Sequence, residues 1–335
     1  MTGHGKGRRR LLLRAIIGLA ITTALVLFLL RYIDLDDLGR MLARTRWSLY
    51  LVGLGIWVAI YLLRTVRFVL IAPRTPFHTM LCIASVHNFL LRLLPMRTGD
   101  VSYAFLVRRA GTAGLGESLL GLLLLRALDA TAVVVLFSAT LALDRGVYLG
   151  DRRTGLVIAA LAAVAGILIV CALGRLLHAL LRLARWAATA TRQQRRPTVE
   201  RALGQLERAI EAFTRIGPGT TLQVAGVTLL LWLLTFAAFF VIMRAFTMPV
   251  GVAQTVLGST AAVVTGFLPI GGIGSFGTLE AGWALGFLLV GLEREQAVAS
   301  GFGVSLTTFS YAALLGLMGW IGLWFIGRGQ GPTET

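Results

Sequence analysis

Apolar residues in this chain come in long unbroken runs, not in the alternating pattern of half-buried strands. Six runs, 11–30, 48–71, 115–143, 154–178, 220–246 and 297–326, approach or exceed the ~20 helical residues that cross a bilayer core. Two more regions, 77–111 and 251–291, are apolar but interrupted. Each has an apolar arm, a break rich in proline and glycine, an acid and a second arm. Pro95, Gly99 and Asp100 form the first break; Pro269, Gly271, Gly272, Gly274 and Gly277 form the second, with Glu280 opening the arm beyond it. Broken backbone at membrane depth survives only where protein or a watery cavity surrounds it. Both regions are therefore predicted to be re-entrant helical hairpins. The arm Val101 to Val107 is too short to span, whereas the second arm of 251–291 leaves a full crossing open.

The order is span, span, hairpin, span, and then the same again. If each hairpin returns to its own side, each half crosses three times and the second half is inverted. The expectation is an all-α, polytopic integral membrane protein with two membrane repeats, 1–149 and 150–335. Loop charge gives the orientation. The 175–218 loop carries nine arginines, which puts it and both termini on the cytoplasmic side of a bacterial plasma membrane. Arg31, Arg44 and Arg46 then fall on the opposite side, against that rule. Within the cytoplasmic segment 179–218, Val199, Leu203, Leu206, Ile210 and Phe213 recur at helical spacing, which predicts an amphipathic helix resting on headgroups. A shorter interfacial helix is expected at 34–45.

Composition sharpens this picture. The net charge of +17 comes from 31 arginines and Lys6 against 15 acids. Those arginines mostly flank apolar runs, so membrane orientation and anionic lipid account for them and nucleic acid does not. Cys82 and Cys171 lie inside apolar runs, and four histidines are scattered, so neither a disulfide framework nor a metal centre is indicated. Gly272, Gly274 and Gly277 spell G-x-G-x-x-G, but a dinucleotide loop must join a strand to a helix in a βαβ unit. No such unit surrounds them, and no cofactor is implied.

Charges within the apolar runs are the candidates for chemistry. Arg126 and Asp129 share one helix face at i and i+3, and each alone costs ~2.5–3.5 kcal/mol at the bilayer centre. They read either as a structural ion pair or as part of a headgroup or proton pathway. Arg92 and Arg97 bracket Pro95, and Arg97 has the guanidinium fork that suits a phosphate. Asp100 reads first as a helix-start acid. Arg67 is expected to snorkel to the interface, with Arg64 deeper and able to reach the first hairpin. Glu280 caps the arm it opens, or backbone N–H groups near Ser275 to Thr278 form an anion nest there.

The blocks "LLRTVRFVL", "NFLLRLLPMRTGDVSYAFLVRRAG", "LLRALDA" and "FLPIGGIGSFGTLEAGWALGFLLVG" together resemble the lysylphosphatidylglycerol synthase transmembrane-region family. This is the flippase-like membrane part of the multiple peptide resistance factor, also found as stand-alone proteins. The resemblance rests on Pro95, Arg97, Gly99 and Asp100, then Arg126 and Asp129, then Pro269, Gly271, Gly272, Gly274 and Glu280. It implies two re-entrant elements and the handling of lipid headgroups between leaflets. Nothing after residue 326 has the length for a soluble aminoacyl-transferase domain, so lysyl-lipid synthesis is not expected. The leading expectation is a non-enzymatic transporter of an anionic phospholipid or polyprenyl-phosphate lipid, as a homo-oligomer or beside a biosynthetic enzyme. The alternatives are an intramembrane lipid-modifying enzyme and an accessory subunit of a lipid or glycan biosynthetic complex.

Overall fold

A backbone removed from water has to satisfy its hydrogen bonds within itself, and apolar runs of this length do so as helices. The computed structural model describes residues 45–94, 99–111, 114–143, 152–191, 197–267 and 277–329, and every regular element among them is a helix. In chain order these are α1 (Trp47–Ile71), α2 (Phe77–Leu93), α3 (Asp100–Arg109), α4 (Leu115–Leu143) and α5 (Arg152–Ala190). They continue with α6 (Pro197–Thr214), α7 (Pro218–Ala245), α8 (Val252–Phe267), α9 (Thr278–Leu289) and α10 (Arg294–Gly329). The chain is an all-α, polytopic integral membrane protein. The expected span 11–30 and interfacial helix 34–45 lie outside the described residues, apart from Thr45.

Helices α1, α4 and α7 and the Arg294–Ile326 part of α10 are long and apolar enough to cross a bilayer. The expected span 154–178 falls within α5, whose 39 residues run unbroken to Ala190. Hairpin arms are shorter. With 17, 10, 16 and 12 residues, α2, α3, α8 and α9 measure roughly 25, 15, 24 and 18 Å at 1.5 Å per residue. All fall short of the ~30 Å hydrocarbon core. The crossing left open for the second arm of 251–291 is thus answered by length: α9 ends after 12 residues.

The arms α8 and α9 meet backbone to backbone. A Cβ on Gly286 would lie 2.0 Å from the carbonyl oxygen of Gly258, so this crossing tolerates no side chain. The two hairpins also reach across the chain: α2 lies along α10, α8 touches α4, and α1 lies along α7. Arg46 N–H donates to the carbonyl of Ala245 at 2.9 Å, which pins the start of α1 to the end of α7. One apolar cluster gathers Trp57, Phe239, Leu257, Trp283 and Tyr311 from α1, α7, α8, α9 and α10. A second gathers Phe68, Met80, Tyr103, Leu125 and Val224 from α1, α2, α3, α4 and α7. Leu62, Leu123, Leu233 and Leu317 point outward, as acyl chains require.

The amphipathic helix forms where its spacing predicts, as α6, and part of its apolar face packs on protein while Leu206 stays 37% exposed. Ile210 is buried against Leu173, Leu177 and Leu181 of α5, with Leu120 of α4, Leu203 and Phe213 alongside. The apolar surface that α6 meets comes from the end of the expected span, Leu173 and Leu177, and from Leu181 in the turns beyond it. An exposed Arg185–Glu207 pair at 2.5 Å also links the two helices, though such pairs contribute little.

Candidate functional site

Five helices bring charge toward one region inside the bundle. Arg64 and Arg67, three residues apart on α1, share an inward face. Arg67 does not snorkel; it is 5% exposed and its Nη1 donates to Asp129 Oδ1 of α4 at 2.5 Å. The same nitrogen donates to Thr228 Oγ1 at 3.1 Å, and the indole N–H of Trp232 donates to Asp129 Oδ1 at 2.9 Å. One buried ion pair thereby ties α1, α4 and α7 together. The physical reason for the correction is that an acid within reach at depth holds the guanidinium better than a climb to the interface.

Asp129 and Arg126 share a helix but not a bond. Arg126 Nη2 instead donates to Asp100 Oδ1 at 2.9 Å, with side chains 28% and 27% exposed. The pairing suggested by i, i+3 spacing is replaced by two pairs to different helices. Asp100 is the first residue of α3, where a carboxylate also complements the helix dipole. Gly99 packs this turn against α2, since a Cβ there would lie 2.5 Å from the Cα of Leu91. The buried ring of His87 closes the same corner, its Nδ1 lying 3.2 Å from both the Gly99 carbonyl and Ser102 Oγ.

Arg64 reaches α2, where its Nη1 donates to Asn88 Oδ1. Asn88 is oriented by its own donation to the Ala84 carbonyl at 2.7 Å. Arg92, also on α2, donates to Thr308 Oγ1 of α10 at 2.9 Å and stands 5.5 Å from the Trp57 ring centroid. On α9, Glu280 is fully buried, and its Oε2 accepts the Gly277 N–H at 2.6 Å. That bond caps the helix at its third residue, directly after a glycine whose φ of 89° suits no other residue. Its other oxygen, Oε1, has no hydrogen-bond partner among the described residues.

Between these groups lies a cavity of about 200 Å³. Arg64, Arg67, Arg92, Arg126 and Asp129 line it from the first half of the chain; Trp232, Thr235, Thr265 and Trp283 line it from the second. Asp100 and Glu280 are not in its wall. Pro95, Arg97, Pro269, Gly271, Gly272 and Gly274 lie outside the described residues, although Leu94, Gly266 and Thr278 near them line the cavity. The arrangement is a set of guanidiniums held at membrane depth around a space for about six waters, at ~30 Å³ each.

The family model described as the lysylphosphatidylglycerol synthase TM region matches residues 15–316. The chain belongs to that family. It matches no curated protein and no solved structure significantly. Membership in the lysylphosphatidylglycerol synthase TM region family makes this a membrane protein linked to phospholipid, with a match that covers α1 to α9 and most of α10. The sequence had marked Arg92 beside Pro95 without a role of its own, and had overlooked Trp232 and Thr228. One signal was available: Thr228, Trp232 and Thr235, at steps of four and three, form a polar stripe on an otherwise apolar helix.

Proposed function

We propose that this protein carries an anionic lipid headgroup between leaflets, as a flippase- or scramblase-like transporter. The observation that supports it is the arginine-lined cavity, walled by helices from both halves of the chain and too small for a whole lipid. Headgroup phosphate would enter the cavity while acyl chains stay in the bilayer. The contacts of α2 with α10 and of α8 with α4 are equivalent if 1–149 and 150–335 are inverted repeats, and such repeats set substrate sites between broken helices. Both termini are taken as cytoplasmic in a bacterial plasma membrane, on the loop arginines.

The enzymatic alternative is less well served. Ser102 and His87 approach to 3.2 Å, but the Ser102 hydroxyl donates to the Gly99 carbonyl at 2.6 Å. That serine is a turn-closing group, not a nucleophile activated by a base. Reconstituted protein is expected to move labelled phospholipid or polyprenyl-phosphate lipid across vesicle membranes. Equal rates for wild type and the Arg97→Ala, Arg126→Ala double variant would remove the proposed mechanism, and chemical conversion of the lipid, read by mass spectrometry, would replace it with catalysis.

A further inference from the structure

Asp100 and Glu280 occupy like places in the two hairpins. Each lies in the first turn of a second arm, and that arm packs on the long helix that follows, α3 on α4 and α9 on α10. From α4, Arg126 meets Asp100, eleven positions after Leu115. From α10, Ser305 approaches Glu280, eleven positions after Arg294. A serine in the second half thus stands where the first half has an arginine.

The two acids differ accordingly. Asp100 is partly exposed and ion-paired, whereas Glu280 is 0% exposed and forms no ion pair among the described residues. Its Oε2 is held by the Gly277 N–H, but neither Oε1 nor the buried Ser305 Oγ has a hydrogen-bond partner within 3.5 Å. The helices packed on α9 bring no counter-charge close. Helix α8 has no ionisable residue. Helix α10 has Arg294 and Glu295 at least ten positions before Ser305, Tyr311 bonded to the Tyr50 carbonyl, and Arg328 near its end. The charged group whose field reaches Glu280 is Arg92 of α2, which lines the cavity and is bonded to neutral Thr308. Leu279 and Trp283 line the same cavity, so Glu280 sits directly behind its wall. A carboxylate this deep without an ion pair is costly, and such a group takes up a proton instead.

We infer that Glu280 is a proton-binding site, and that its proton is taken up and given back together with the anion in the cavity. This rests on the reading of the cavity as a headgroup site. A proton from water adds to the carboxylate, which becomes a neutral acid able to donate to Ser305 Oγ. The other oxygen keeps its bond from Gly277, so the cap of α9 survives in both states. With Glu280 neutral, Arg92 has no negative charge to compensate and its own charge is left for the ligand. With Glu280 ionised, carboxylate and ligand compete for it. The linkage is reciprocal: an anion at Arg92 favours the proton on Glu280 as much as the proton favours the anion. A singly charged headgroup and one proton then cross as a neutral pair.

Two measurements on the full chain test this. Infrared difference spectra between acidic and alkaline buffer should show a carboxylic-acid C=O band that disappears as pH rises and is missing from Glu280→Gln. A wild-type chain with no such band, a band that persists at both pH values, or one that survives in Glu280→Gln overturns the inference. The second measurement imposes a pH gradient on phosphatidylcholine vesicles that hold the protein and labelled phosphatidylglycerol. One proton per lipid should enrich the label about tenfold per pH unit in the leaflet facing the less acidic side, above protein-free vesicles. Glu280→Gln should lose that enrichment. Label that the wild type spreads equally over both leaflets despite the gradient overturns the coupling, as does enrichment kept by Glu280→Gln. A titrating Glu280 band without movement of labelled phosphatidylglycerol or polyprenyl-phosphate lipid supports the proton site and sinks the transport reading alone.

Discussion

The Arg67–Asp129 pair is the sharpest place to test the physics of this bundle. Asp129→Asn keeps size and one acceptor but removes the charge. Arg67 is 5% exposed and would keep only neutral acceptors, the new amide oxygen and Thr228 Oγ1 at 3.1 Å, so a buried guanidinium is left without a counter-charge. Removing one member of a buried pair typically costs ~3–5 kcal/mol. Asp100→Asn breaks the Arg126 pair instead, whose side chains are 28% and 27% exposed; water then offsets most of the loss, about 1 kcal/mol at most. At ~2 °C per kcal/mol, the lower end for a chain of this size, Asp129→Asn should lower the unfolding midpoint by ~6–10 °C and Asp100→Asn by ~2 °C or less. The assay is thermal unfolding of the purified protein in detergent, followed by loss of the monodisperse fraction. The double variant Arg67→Met, Asp129→Leu separates this account from mere crowding at the site. Replacing both charges removes the desolvation penalty, so the double should recover most of the loss of the single. A double variant worse than Asp129→Asn, or equal losses for Asp129→Asn and Asp100→Asn, would refute the reasoning.

Two further outcomes follow from the second hairpin. Gly286→Ala should abolish a stable fold or sharply lower its yield, because the added Cβ meets the Gly258 carbonyl oxygen at 2.0 Å; Gly226→Ala, with nothing within 4 Å, should match wild type in the same expression and size-exclusion measurement. Glu280→Gln should hold the fold, since its amide oxygen can accept the Gly277 N–H bonded to Glu280 at 2.6 Å. Glu280→Ala should lose ~1.5–3 kcal/mol, read as a lower unfolding midpoint, and an unchanged midpoint would remove the capping role.

What could be read along the chain, and what could not, divides by the distance over which the signal acts. A span announces itself within ~20 residues, and a break within a few, because proline and glycine act on their own backbone. The four helices from α1 to α10 that are long enough to cross were legible for that reason. Pairing is different. Arg126 and Asp129 are neighbours in one helix, yet their bonds go to Asp100, 26 residues away, and to Arg67, 62 residues away. Trp232 joins from 103 residues away. A face says where a side chain points; only the packing of other helices says what it meets. The same limit explains α6. Its apolar stripe was evident from spacing, but periodicity is identical whether lipid or protein covers it, and the contact with Leu173, Leu177 and Leu181 of α5 acts across the fold. Charge count inside apolar runs proved the more transferable signal, since a buried guanidinium has to find an acid or hold a place for an anion. Counted this way, Arg64 and Arg92 line the cavity with neutral partners, Asn88 and Thr308, and no ion pair among the described residues.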